Sequence, residues 1–160
     1  MHVRQAIEMD VDLGGLASRF ISSNPTQLLA VQFQWLGQAQ TTVGQVQFGQ
    51  QSQGLPGFVH GGALATIADE AMGIACWMSG YCAPGAKITS DFINPVRIGE
   101  ACEVRAWLKS VDGRKLHCAA SIKRGEVEVY RAQGLFVAIE PSDLQAFSHW
   151  PGVERFLPVG

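Results

Sequence analysis

The sequence is poor in charge. Asp, Glu, Lys and Arg make up 16% of its 160 residues, against roughly 25% in ordinary soluble domains. Lys and Arg number 12 and Asp and Glu 14, for a formal net charge of −2. No Lys/Arg cluster is present, which argues against nucleic-acid binding, because phosphate contacts need clustered cations. Long apolar runs are missing too. The uncharged stretch 20–68 is broken by Gln, Asn, Thr, Gly and Pro, so no membrane-spanning helix is expected. The opening residues, Met-His-Val-Arg-Gln-Ala-Ile-Glu-Met-Asp, lack the apolar core of a secretion signal, and the cytoplasm is the expected compartment. Cys76, Cys82, Cys102 and Cys118 are too widely spaced for paired zinc knuckles and do not form a disulfide framework, so free, buried thiols are expected. His2, His60, His117 and His149 have no metal spacing. Neither a Gly-x-Ser-x-Gly elbow nor a phosphate loop occurs. No metal and no cofactor are expected.

What is present falls into one pattern. With no repeat and no linker, residues 1–160 read as a single domain with a core at about 28–140. Residues 1–23 read as a short helical segment ending near Asn24-Pro25. Val31, Phe33 and Trp35 alternate with Gln32 and Gln34, and Val46 and Phe48 alternate with Gln45 and Gln47, which predicts two strands with one apolar face. A Gly-rich loop, 49–59, leads to a helix over 62–79, with Leu64, Ile67, Ala68, Ala71, Ala75 and Met78 on one stripe and small residues opposite. Lys87–Asn94, Ala101–Lys109, Lys115–Lys123 and Val127–Ile139 read as long strands, with Asp112-Gly113 as a hairpin turn. The fold class is therefore α+β, a curled antiparallel sheet wrapping one helix. Residues 141–160, with Pro141, Phe147, Trp150, Pro151, Phe156 and Pro158, read as a surface tail.

Between Arg19 and Lys87 the only formally charged side chains are Asp69 and Glu70, both inside that helix. Burying a carboxylate is costly without a partner, and no Lys or Arg lies within two helical turns. Glu70 is the better candidate for an exposed edge of the helix, and an Asp retained on an otherwise uncharged helix points to function. The second element is His60-Gly61-Gly62. It either makes a tight turn into the helix or opens the helix N-terminus to a developing oxyanion, since glycines allow close backbone approach.

The run Pro56-Gly57-Phe58-Val59-His60-Gly61-Gly62-Ala63-Leu64-Ala65-Thr66-Ile67-Ala68-Asp69-Glu70-Ala71 resembles the signature of hotdog-fold acyl-CoA thioesterases. The likeness is to the phenylacetic-acid-pathway and thioesterase-superfamily-member type, and it extends over roughly 30–139. The resemblance implies hydrolysis of an acyl-CoA, with CoA part of the substrate rather than a cofactor. It implies Asp69 as nucleophile or general base, the Gly61 amide as oxyanion site, and His60 shaping that end. Gly62, Gln53, Glu70 and Gly85 would contact substrate. It also implies a homodimer or homotetramer with sites at the dimer interface.

Two features depart from the pattern. Relatives often carry Asn or Gln six residues before the His, where this chain has Gly54, with Gln51 and Gln53 nearby. They also place Ser or Thr sixteen to eighteen residues after the Asp, where this chain has Gly85 and Lys87; Thr89 or Ser90 would be the substitute hydroxyl. Two other readings stay open: a hotdog enoyl-thioester hydratase or dehydratase using His60 with Asp69 or Glu70, and a non-catalytic acyl-thioester-binding module. Arg97, Lys109, Lys123, Arg124 and Arg131 are candidates for the CoA phosphates.

Overall fold

Alternating apolar residues let a strand bury one face and wet the other. Strand β2 (Leu29–Leu36) buries Leu29, Phe33 and Trp35 and exposes Gln32 and Gln34. Strand β3 (Thr41–Phe48) pairs antiparallel with it and buries Val46 and Phe48. In this computed structural model, which describes residues 5–14, 18–22 and 28–148, these strands belong to a seven-stranded antiparallel sheet. Its other members are β1 (Val11–Gly14), β4 (Gly85–Phe92), β5 (Ala101–Asp112), β6 (Lys115–Arg124) and β7 (Val127–Val137). The order is β1-β2-β3-β5-β6-β7-β4. The turns closing β5–β6 and β6–β7 contain Gly113 and Gly125, both at φ +57°, a conformation glycine adopts without steric cost.

The helix α2 (Gly61–Met78) fills the concave face of this sheet. Ile67, Ala68, Ala71, Met72, Ala75 and Cys76 are fully buried, and most pack with Phe33, Phe48, Val104, Leu116, Ile122 and Phe136 in one core. Each large apolar side chain buried this way contributes roughly 1.5–3 kcal/mol. The sheet can curl this closely because some facing positions are small. A Cβ at Gly44 on β3 would lie 2.8 Å from the Phe33 ring and from a Val104 methyl.

The helical N-terminus expected from sequence is only partly present. Arg19–Ser22 forms a four-residue helix, α1, but residues 11–14 are strand β1, paired with β2 through Val11↔Trp35. The reason is tertiary. The β2 edge offers unpaired backbone groups, and the preceding segment adds a Trp35 Nε1–H bond to the Ile7 carbonyl at 2.8 Å. At the other end, a 3-10 turn spans Leu144–Phe147. The expected tail from residue 149, with Trp150, Pro151, Phe156 and Pro158, lies outside the described residues.

All four cysteines are free and buried. Cys76 Sγ on α2 lies 3.4 Å from Cys118 Sγ on β6, and this hydrogen bond together with burial pushes the Cys76 thiol up. Burial foremost, with the nearby Glu100 charge, pushes Cys102 up to about 11. No helix among the described residues is long and apolar enough to cross a membrane.

Candidate active site

His60 is the N-cap of α2, and its Nδ1 accepts the Gly62 N–H at 2.8 Å. This satisfies one of the amides that a helix start leaves without an intrahelical partner. The Gly61 N–H is different: among the described residues no acceptor engages it. Of the two glycines, Gly61 therefore keeps a free donor at the positive end of the helix dipole, whereas the Gly62 amide is committed to His60.

Residues four apart on a helix stack on one face. Gly61, Ala65 and Asp69 form one such stripe, facing β4. A Cβ at Gly61 would meet the Phe92 ring at 2.8 Å, and one at Gly85 would meet Asp69 Oδ1 at 3.1 Å. The helix start thus lies against the end of β4, and Asp69 against its beginning. Asp69 is exposed in the single chain and makes no hydrogen bond or ion pair among the described residues. Even so, protein atoms crowd its carboxylate, and this desolvation holds its pKa above the ordinary aspartate value.

Glu70 lies on the neighbouring stripe with Gly62 and Thr66. Its Oε1 accepts the Ser18 N–H at 2.5 Å, so this acid is half-buried under the N-terminal segment. The exposure of the two acids is the reverse of the sequence expectation: Asp69 is the open one. Gln53 turns into its own loop, where Oε1 accepts the Gly57 N–H at 2.8 Å. It also lines, with Phe20, Leu29, Gly62 and Thr66, a groove of about 410 Å³ on the Glu70 side of the helix. Gly54 packs closely against His60: a Cβ at Gly54 would be 3.0 Å from the His60 Cα, so this position has little room for a side chain.

Sequence reading missed Tyr130. This fully buried residue of β7 shares a 2.6 Å hydroxyl–hydroxyl hydrogen bond with Ser90 and packs edge-to-face on Phe92 at 5.3 Å. Burial chiefly raises its phenol pKa, and the Asp69 charge adds to that. Ser90 is therefore the hydroxyl of β4 on the helix side, while Thr89 points to the opposite face of the sheet. Only the alternation along β7 could have hinted at Tyr130, since it lies 61 residues from Asp69 in sequence. No group of three metal-ligating side chains occurs among the described residues.

Residues 56–130 match the family model of the thioesterase superfamily. The chain is 36% identical over 102 residues to the mouse acyl-coenzyme A thioesterase THEM4, an overlap of 62% of this chain and 44% of that protein. It thus spans less than half the length of that curated relative. A crystal structure of a thioesterase superfamily protein superposes with a TM-score of 0.64 at 30% identity, covering 67% of this chain and 53% of that one. The Escherichia coli PaaI protein from the phenylacetic acid degradation operon superposes with a TM-score of 0.59 at 22% identity, covering 63% and 74%. The curled sheet around one helix is the hotdog fold of these solved structures, and residues 56–130 of the chain are similar to the thioesterase superfamily.

Proposed function

We propose that this domain hydrolyses acyl-CoA thioesters at sites shared between two copies of the chain. The observation that carries the reading is the position of Asp69, unpaired and desolvated on the Gly61 stripe, eight residues from the free Gly61 amide. Eight residues of helix span roughly 12 Å, too far for both groups of one chain to act on one carbonyl. The edge strand β4 supplies the remedy. Among the described residues it pairs only with β7, which leaves its outer edge for a second copy. Antiparallel pairing of two β4 strands about a two-fold axis between Ile88 and Thr89 sets Gly85 opposite the other copy's Phe92. Asp69 beside Gly85 then approaches the other copy's Gly61 beside Phe92.

In that arrangement the Gly61 amide of one protomer polarises the thioester carbonyl and takes up the developing oxyanion. Asp69 of the other attacks the carbonyl carbon or removes a proton from the attacking water. The carbon–sulfur bond breaks, CoA leaves as the thiol, and water supplies the oxygen of the acid. The chemistry needs no metal or cofactor, and CoA enters as part of the substrate. The name of the mouse relative supports the acyl-CoA class. Four free thiols suit a reducing compartment such as the cytoplasm.

The test is Asp69→Asn, which keeps volume and removes the charge. It is expected to retain the fold and acyl-CoA binding while losing turnover by orders of magnitude, followed as CoA release with a thiol-trapping dye. Hydrolysis at the parent rate would remove Asp69 from the mechanism.

A further inference from the structure

The sheet face turned away from α2 carries its side chains in registered rows. One row crosses four strands: Ser110 is paired with His117, His117 with Leu135, and Leu135 with Lys87. Lys109 stands beside it at an irregularity in β5, between Leu108 and Ser110. The next row brings Gln133 against Thr89. Lys87, Thr89, Lys109, Ser110, His117 and Gln133 line a groove of about 480 Å³, a size at which small ligands are held.

Its charge sets this groove apart. A second groove on the same face contains Arg105 and Lys123 but also Glu103, Glu126 and Glu128, and its Arg105 is paired with Glu103 at 2.6 Å. No carboxylate lines the first groove, and neither Lys87 nor Lys109 enters an ion pair among the described residues. Two uncompensated ammonium groups, with hydroxyl, amide and imidazole donors between them, form a receptor for anions. The lysine backbones are three strand spacings apart, roughly 14 Å. Their side chains therefore reach inward from opposite ends, and the two ammonium groups can each hold a separate phosphate of one ligand.

We propose that this groove binds a ligand carrying two or more phosphate groups, of nucleoside diphosphate size. The inference rests on the groove's own lining and holds whether or not the domain is a hydrolase. Pairing of β4 edges uses backbone groups and leaves Lys87 and Thr89 facing outward. The phosphates have two possible sources, the nucleotide end of a CoA thioester or a free nucleotide.

The probe is ADP, titrated calorimetrically into the full chain, with inorganic phosphate alongside. Parent protein is expected to bind ADP more tightly than phosphate, with an affinity that falls as salt is added. The Lys87→Ala/Lys109→Ala double variant is expected to lose about tenfold or more in ADP affinity, while Arg105→Ala, in the second groove, changes little. Both lysines of the double variant are exposed, and an unchanged melting curve checks the fold. No ADP binding by the parent, or equal affinity in the double variant, overturns the proposal. A rise in KM for an acyl-CoA, without one for the same acyl group on N-acetylcysteamine, assigns the phosphates to CoA. Loss of ADP affinity with both KM values unchanged assigns the groove to a free nucleotide.

Discussion

Asp69 and Gly61 share one face of one helix yet stand roughly 12 Å apart, each against an opposite end of the same edge strand. If two chains build each site, Asp69→Asn and Gly61→Ala each cripple both sites of a homodimer in different ways. A heterodimer of the two variants regains one site with a native Asp69 and a native Gly61. After unfolding and refolding an equimolar mixture, random pairing should restore about a quarter of parental activity. Activity no higher than that of the separate variants would place both groups in one chain.

The raised pKa of Asp69 fixes the sign of two pH effects. Turnover by a carboxylate base or nucleophile rises as that group loses its proton, so the acid limb of kcat/KM should lie above the ordinary aspartate range. Stability runs the other way. Between the ordinary value of 3.8 and the raised folded one, the folded state holds more protons than the unfolded state, so stability falls as pH rises through that window. Asp69→Asn abolishes this loss. Its Tm should equal or exceed the parent's at neutral pH, and the difference should vanish below the unfolded-state pKa.

Gly85→Ala probes the wall behind the carboxylate. The added methyl would lie 3.1 Å from Asp69 Oδ1 and 3.5 Å from the Phe136 ring, so the carboxylate must move. A displacement of this kind costs on the order of 10- to 100-fold in kcat, with KM changed far less. The methyl also removes water from Asp69, so the acid limb should shift further up. A parental kcat with a parental pH profile would show that Gly85 does not position Asp69.

Thr42 offers a test of the core independent of the site. It is fully buried on β3, and its Oγ1 is the one buried side-chain polar atom among the described residues without a hydrogen-bond partner. Valine has the same shape and no hydroxyl to desolvate. Thr42→Val should therefore raise the unfolding free energy by about 1–2 kcal/mol, read as a higher urea midpoint at unchanged slope.

Much of this architecture is legible in the chain. The Val31/Phe33/Trp35 alternation marks β2, and the all-round small and apolar surface of 61–78 marks a helix that the sheet must enclose. The gap in charge isolates Asp69 and Glu70 as the pair to explain. Which acid stays open is not legible, because adjacent residues point about 100° apart on a helix and the deciding contact comes from Ser18, 52 residues away. The same holds for β1, which is a strand only because the β2 edge is there to pair with it. Tyr130 reaches the site through sheet order, since β7 comes to lie beside β4 only after the two intervening strands, β5 and β6, have been laid down elsewhere.

The sulfur chemistry of the core bears on how this protein can be assayed. Its four thiols are enclosed, and the protonated form of Cys76 and Cys102 is favoured, whereas alkylation and disulfide exchange proceed through thiolates. A native sample should therefore give almost no background with a thiol-trapping dye, and the signal during turnover reports product alone. Unfolding in denaturant should release four equivalents of titratable thiol. The same reagent then serves as a clock for hydrolysis and, in a separate tube, as a gauge of how much of the preparation is folded.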